Sequence, residues 1–82
     1  MKIHLRFFAS LRERVHASEA DRDLPDGTTV GDAWEAVCRE HPQAAPLGAA
    51  MSFAVNREYV ARAHALRDGD ELALIPPVSG GC

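Results

Sequence analysis

The sequence lacks the features that define several common classes of protein. It has only two cysteines, Cys38 and Cys82, which are too few for a multi-bridge disulfide framework and do not have the close paired spacing of a zinc site. The four histidines lie in separate segments, so no metal site is expected. Apolar stretches are far shorter than the ~20 residues needed to cross a bilayer. The N-terminal segment alternates and does not resemble a secretory signal, so we expect a cytoplasmic protein without a membrane segment.

Charge and composition exclude further classes of protein. The formal net charge is −3 and the nine Lys and Arg residues, only one of them Lys, are scattered along the chain, which argues against nucleic acid as a partner. Apolar residues make up 46% and charged residues 26% of the chain, as in average globular proteins, so extensive disorder is not expected. With 82 residues, the chain is predicted to form one domain that buries only about 60 to 65% of its surface, and so has a small core.

The first segment has the pattern of a half-buried strand. Apolar and polar residues alternate over residues 2–8, with the apolar ones at Ile3, Leu5 and Phe7. Phe8 breaks this alternation, because it is apolar at a position that points away from the core. It is therefore either a second core contact or part of an exposed contact surface. The polar segment 10–14 that follows is interpreted as a connection anchored by Leu11.

Residues 30–40 carry the one clear helical pattern. Thr29 is a favourable N-cap, and Asp32 resembles the second half of a capping box while placing negative charge at the positive end of the helix. Pro42 prevents continuation, so the helix is predicted to end near residue 41. One apolar stripe runs along it, formed by Val30, Ala33, Trp34, Val37 and Cys38. The cysteine in this stripe is interpreted as a small buried hydrophobe and not as a nucleophile.

The remaining segments predict a small sheet. Strands are expected at 21–24, 53–55, 58–61 and 71–75. The second and third of these form a hairpin around Asn56-Arg57, and segment 43–50 is a loop or a single helical turn. Pro76-Pro77 cannot donate backbone hydrogen bonds, so the sheet ends there. This order predicts an α+β fold in which one main helix covers a small mixed sheet, with the first and last strands parallel in its centre.

Six short blocks of residues carry a resemblance that covers nearly the whole chain. They are Phe7-Phe8-Ala9, Leu11-Arg12-Glu13, Thr29-Val30-Gly31-Asp32, Val55-Asn56, Asp68-Gly69-Asp70-Glu71 and Pro76-Pro77-Val78-Ser79-Gly80-Gly81. Together they closely resemble the small subunit of molybdopterin synthase and, more broadly, the sulfur-carrier family that has the ubiquitin-like β-grasp fold. The resemblance implies a β-grasp domain at 1–76 and a flexible C-terminal tail at 77–82 that ends Gly-Gly-Cys.

The resemblance implies that Gly81 is the reaction centre. In this family a ubiquitin-activating-type enzyme uses ATP and Mg²⁺ to adenylate the terminal glycine carboxylate, and a sulfur donor converts the acyl-adenylate into a thiocarboxylate. The chain would then be a non-catalytic, sulfur-donating subunit that binds no cofactor itself. In the molybdopterin case the tail enters the large subunit, where a pterin precursor of the molybdenum cofactor receives the sulfur. Gly80 and Gly81 suit this role because residues without Cβ can thread a narrow channel.

The resemblance also implies a docking surface. Phe8, Arg12 and Ile75 match positions that face the large subunit or the adenylating enzyme. Phe8 and Ile75 are also the residues whose strand phase points away from the core, so the two lines of inference agree. The segment that would lie in the groove of the partner, ahead of the glycines, is formed by Pro76, Pro77, Val78 and Ser79.

Cys82 departs from the family pattern, in which activated members end at glycine. While Cys82 is attached, Gly81 has no free carboxylate and cannot be adenylated, so we expect a peptidase to remove Cys82. Three alternatives remain open. The chain could be a sulfur carrier for cysteine or another sulfur-containing metabolite, a ubiquitin-like protein modifier joined to lysines through Gly81, or a β-grasp interaction domain without chemistry.

Overall fold

The computed structural model describes residues 1–77, which form five strands, two α-helices and one 3-10 helix. In chain order these are β1 Lys2–Phe7, α1 Ala9–Val15, β2 Glu19–Asp23, α2 Val30–Glu40, the 3-10 helix Pro42–Ala50, β3 Ser52–Val55, β4 Glu58–Val60 and β5 Glu71–Ile75. In this part of the chain no helix is long and apolar enough to cross a bilayer.

The five strands form one mixed sheet in the order β2-β1-β5-β3-β4. β1 and β5 run parallel, with Leu5 opposite Leu72 and Phe7 opposite Leu74, and the other neighbouring strands are antiparallel. Parallel strands need a long connection, and α2 lies within the segment that joins these two. The first and last strands, β1 and β5, thus lie side by side and parallel inside the sheet. This confirms the predicted arrangement, which is that of the ubiquitin-like β-grasp fold.

The core lies between one face of this sheet and α2. Leu5 of β1 is 2% exposed and Leu74 of β5 is fully buried. The Trp34 ring of α2 meets the Phe53 ring edge-on, with 6.2 Å between the ring centroids. Fully burying a leucine or phenylalanine side chain contributes roughly 1.5–3 kcal/mol to stability relative to leaving it exposed. Because side chains alternate along a strand, this core also fixes which residues of β1 and β5 point away from it.

The helix α2 begins where the sequence pattern predicted. The Thr29 hydroxyl accepts a hydrogen bond from the Asp32 backbone N–H at 3.2 Å, and the Asp32 carboxylate accepts one from the Thr29 N–H at 3.3 Å. This is a complete capping box. At the other end the His41 backbone N–H donates to the Val37 carbonyl, and Pro42 then starts a different helix type.

The segment after β1 is a helix, whereas the sequence pattern predicted a polar connection at 10–14. α1 has seven residues, and Leu11 and Val15 lie one turn apart on its buried side. Its N-cap is Phe8, which makes no side-chain capping hydrogen bond within residues 1–77. A helix this short, without a capping side chain, has almost no periodic signal in the sequence, and the prediction for this segment was wrong.

Segment 43–50 is more ordered than the predicted loop or single turn. It belongs to the nine-residue 3-10 helix, in which Ala44 is buried. The Arg14 guanidinium donates to the Gln43 carbonyl at 2.7 Å, and the Gln43 side-chain amide donates to the Arg14 carbonyl at 2.7 Å. These hydrogen bonds join the 3-10 helix to α1. Such a tertiary contact cannot be predicted from the local periodicity of the sequence.

The β3–β4 hairpin turns at Asn56-Arg57, as predicted. Both residues have positive φ, 50° at Asn56 and 73° at Arg57, which is the geometry of the two-residue turn that matches strand twist. The Asn56 amide also donates to an Asp70 carboxylate oxygen at 3.0 Å, and its side-chain carbonyl accepts from the Glu71 N–H at 3.1 Å. These contacts fix the hairpin against the start of β5.

Candidate functional site

The face of the sheet opposite α2, here called the outer face, carries the residues that the core leaves pointing outward. Cross-strand pairing aligns one residue from each strand in a single row. From edge to edge this row is formed by Glu19, Arg6, Ala73, Ala54 and Tyr59. Along this row the outer face changes from charged at the β2 edge to apolar at the β4 edge.

An apolar patch covers the part of the outer face nearest the end of β5. We define it by Phe8, Ala73, Ile75, Ala54 and Tyr59. Tyr59 is 75% exposed, and it is the one large apolar side chain of residues 1–77 that is mostly exposed. Ala54 is only 5% exposed although it faces outward. The patch thus combines two alanines with the larger side chains of Phe8, Ile75 and Tyr59, an apolar surface of a kind that suits a protein contact.

Phe8 lies where β1 passes into α1. Its backbone is extended, with φ −116° and ψ 155°, and its N–H donates to the Leu74 carbonyl at 3.4 Å. Phe8 therefore continues β1 beside β5, which places it next to the half-buried Ile75 on the outer face. The Phe8 carbonyl accepts from the Arg12 backbone N–H at 3.3 Å. The structure thus brings Phe8 and Ile75 into one patch, with Arg12 exposed on the adjoining helix.

The polar half of the outer face contains His4, which bridges two carboxylates of β2. His4 Nδ1 lies 2.6 Å from Asp21 Oδ1 and His4 Nε2 lies 2.8 Å from Glu19 Oε1. A neutral imidazole has only one N–H, so the imidazolium is the form that donates to both. The hydrogen bond with Asp21 is the main cause that raises the pKa of His4, and the same bond lowers the pKa of Asp21. This arrangement ties the edge strand β2 to β1.

The two prolines after β5 differ in exposure. Pro76 is buried by its own domain, whereas Pro77 is exposed. β5 ends at Ile75, so the chain leaves the sheet beside the apolar patch. The predicted contact of Pro76 and Pro77 with a partner stays a prediction. The other predicted site residues, Val78, Ser79, Gly80, Gly81 and Cys82, lie outside the described residues.

Two residues of the outer face were not among the predicted site residues. Tyr59 is paired with Ala54 across the hairpin, so the predicted turn at Asn56-Arg57 together with strand alternation could have placed it on the outer face. The Arg6 guanidinium lies over the Phe8 ring, 5.1 Å from its centroid. A cation–π contact of this kind has no sequence signature beyond the i, i+2 spacing.

Cys38 agrees with its interpretation as a small hydrophobe. It is partly buried against the core, and desolvation is the main cause that raises the pKa of its thiol. A raised pKa leaves little of the reactive thiolate at neutral pH. Within residues 1–77 no group of three or more His, Cys, Asp or Glu residues is placed to hold a metal ion.

The sheet order and the position of α2 define a ubiquitin-like protein of the β-grasp class, and solved structures share this fold. SAMP1 from Haloferax volcanii has a TM-score of 0.87 and 32% identity, covering 99% of this chain and 100% of that one. A protein–protein complex of subunits 1 and 2 of the molybdopterin-converting factor from Helicobacter pylori contains a similar chain, with a TM-score of 0.68 and 22% identity over 99% of this chain and 100% of that one. At that identity the second likeness shows the fold alone.

The chain belongs to the ThiS family, which matches residues 5–81. It is 39% identical to the molybdopterin synthase sulfur carrier subunit of Chlamydomonas reinhardtii, over 99% of this chain and 100% of that protein. It is also 36% identical to small archaeal modifier protein 1 of Haloferax volcanii, over 93% of this chain and 97% of that protein. The family resemblance seen in the sequence blocks is thereby confirmed.

Proposed function

We propose that this chain is a sulfur carrier, the small subunit of a molybdopterin synthase, and that it delivers sulfur as a thiocarboxylate on Gly81. The observation that carries the proposal is the family match, which extends from residue 5 to residue 81 and so includes the glycine pair. Relatives that are similar over almost the whole chain are named molybdopterin synthase sulfur carrier subunits. The function predicted from the sequence, that of a molybdopterin synthase sulfur carrier subunit, is the function given in the names of these relatives.

The proposed chemistry takes place at one carboxyl group. A carboxylate oxygen of Gly81 attacks the α-phosphorus of ATP, pyrophosphate leaves, and an acyl-adenylate forms. A sulfur nucleophile then attacks the Gly81 carbonyl carbon and displaces AMP, because AMP is a good leaving group, whereas the same attack on a free carboxylate would have to expel hydroxide or oxide. ATP and Mg²⁺ are bound by the adenylating partner, and this chain binds no cofactor. The large subunit then holds the pterin precursor that accepts the sulfur.

The proposal requires a free carboxylate on Gly81. In the printed sequence Gly81 is followed by Cys82, so the Gly81–Cys82 peptide bond must be cleaved before adenylation. We propose that a peptidase makes this cut in the cytoplasm, where the carrier acts. The uncut chain is then an inactive precursor.

The apolar patch is proposed to contact the large subunit, and the adenylating enzyme in turn. Phe8, Ile75 and Tyr59 supply apolar area beside the end of β5, and interface cores are enriched in such aromatic residues. Arg12, exposed on α1, adds a positive charge at the edge of this area. Docking through the patch would orient Gly81 towards the active site of each partner, since the chain leaves the sheet beside it.

The test is a reconstitution of the sulfur loading. A variant that ends at Gly81 is incubated with the cognate adenylating enzyme, ATP, Mg²⁺ and a sulfur donor, and the intact mass is measured. We expect the mass to rise by the difference between sulfur and oxygen. The chain that retains Cys82 is the matched control and should remain unchanged.

Two outcomes would contradict this proposal. If the variant ending at Gly81 stays unchanged with an adenylating enzyme that is active on another carrier, the chain is not a sulfur carrier for that route. If chains isolated from active cells always retain Cys82, the proposed cut does not occur.

A protein-modifier function is the second candidate. The observation that favours it is the 36% identity to small archaeal modifier protein 1. The same activated Gly81 would then form an isopeptide bond with a lysine of another protein. Conjugates that retain this chain after denaturation, mapped to lysines by peptide mass spectrometry, would support it, and their absence in cells that load the chain with sulfur would exclude it.

A further inference from the structure

Arg6 lies at the boundary between the charged and apolar parts of the outer face. It is half-buried in the middle of the sheet, with Glu19 of β2 on one side and Ala73 of β5 on the other. Its guanidinium carbon is 5.1 Å from the centroid of the Phe8 ring. This distance is that of a cation–π contact, which favours orientations that keep the two side chains together.

Glu19, the acidic residue that could pair with Arg6, forms an ion pair with His4 instead. Glu19 is directly opposite Arg6 in the register, but its carboxylate lies 2.8 Å from His4 Nε2. Within residues 1–77 the Arg6 guanidinium forms no ion pair and no hydrogen bond, whereas Arg22 forms a two-point contact with Glu40. The N–H donors of Arg6 are thus available to a partner while the guanidinium lies beside the Phe8 ring.

Docking through the apolar patch would cover Arg6 together with Phe8. A guanidinium that loses water without gaining an anion destabilises a complex strongly, because the desolvation cost is not offset. A partner that covers the patch must therefore present an acceptor next to the site that receives the Phe8 ring. A carboxylate fits the planar donor geometry of the guanidinium best.

We propose that Arg6 determines specificity at this docking face by pairing with a carboxylate of the molybdopterin synthase large subunit while holding the Phe8 ring in its bound orientation. The inference rests on the proposed function for the identity of that partner. It adds a second charged contact, besides that of Arg12, to a largely apolar surface, and it predicts that the partner carries a carboxylate opposite β1.

The test measures binding of the form that ends at Gly81, which is the unmodified chain and the parent of every variant here, to the large subunit from the same organism by titration calorimetry. Arg6→Met keeps the length and apolar stem of the side chain but removes the charge, and should weaken binding about tenfold. Arg6→Lys restores the charge without the planar fork and should recover only part of the affinity. Arg39→Met, which removes the same charge from α2 on the other side of the sheet, is the matched control and should bind like the unmodified chain.

Salt dependence separates pairing from a merely structural role. Affinity of the unmodified chain should fall more steeply with added NaCl than that of Arg6→Met, since the variant lacks one positive charge that attracts the partner's carboxylate during association. Arg6→Met combined with Phe8→Leu should weaken binding by less than the product of the two single effects, because the residues act together. Thermal unfolding confirms that each variant is folded. If Arg6→Met does not fold, the affinity of Arg6→Lys is compared with that of the unmodified chain instead.

The outcomes distinguish this inference from the proposed function. If the unmodified chain does not bind the large subunit, the proposed function fails and the inference fails with it. If the unmodified chain binds but Arg6→Met binds equally tightly with the same salt dependence, the inference alone is overturned. A weakening by Arg39→Met equal to that by Arg6→Met would also overturn it, since only the net charge would then matter.

Discussion

The two faces of the sheet are built from the same strands but have different roles. Leu74 and Ile75 are adjacent in β5, yet the first is fully buried against the core and the second is half-exposed in the apolar patch. The inner residues determine whether the chain folds, and the outer residues determine what it contacts. Strand alternation lets one short segment do both, so substitutions at neighbouring positions should have effects of different kinds.

The largest expected effect is on the inner face. Leu74→Ala removes a fully buried side chain and should lower the free energy of unfolding by about 2–5 kcal/mol. Ile75→Ala is the matched variant on the outer face and should cost well under half as much. Urea unfolding followed by circular dichroism measures both, and equal losses would show that the two faces are not separable in this way.

A second prediction concerns the outer face alone. Tyr59→Ala should weaken binding to the large subunit by about tenfold or more, because exposed tyrosines that a partner covers are common hot spots. Its effect on unfolding should stay within about 0.5 kcal/mol, as expected for a side chain that is 75% exposed. Unchanged binding in titration calorimetry would place Tyr59 outside the interface. Glu58→Ala, a neighbouring exposed position in β4, is the control.

A third prediction concerns the cap of the helix that covers the inner face. Thr29→Ala removes the hydroxyl that accepts from the Asp32 N–H and should cost about 1 kcal/mol of stability. Thr29→Ser keeps the acceptor and should restore most of the loss. Thermal unfolding measures the difference, and an Ala variant as stable as the Ser variant would show that the capping box contributes nothing.

The smallest expected effect is a pH dependence on the charged part of the outer face. His4 has a folded-state pKa raised above its ordinary value of 6.5, so its contribution is present below 6.5 and is lost as the pH rises through the raised value. Asp21 has a pKa lowered from 3.8, so its contribution is present above 3.8 and is lost as the pH falls through the lowered value. His4→Gln should flatten the pH profile of thermal unfolding above pH 6.5. A profile identical to that of the unmodified chain would show that the bridge has no effect on stability.

The sequence predicted the inner face well and the outer face in part. Alternation in β1 and β5 and the capping box at Thr29 and Asp32 are local signals, and each corresponds to an element that the structure contains. Phe8 and Ile75 were identified as outward residues for the same reason. Arg6 was missed because its role depends on Glu19 being held by His4, a contact between strands that sequence spacing does not show.

The two missed helices have a similar explanation. α1 has seven residues and no side-chain cap within residues 1–77, and the 3-10 helix has a proline at its centre that reads as a loop signal. Both are held by contacts with each other, through Arg14 and Gln43. Local propensity is weak in such segments, and tertiary packing decides their structure.

The pairing of β5 with β1 also governs when the domain can form during synthesis. β5 supplies the centre of the sheet and pairs with both β1 and β3, so a nascent chain that has not yet exposed Glu71–Ile75 outside the ribosome lacks the strand that unites the two halves. Contacts this distant in sequence form late and slowly. The outer face, with Phe8 beside Ile75, is therefore assembled only after residues 71–75 have left the ribosome, and shorter products lack this face.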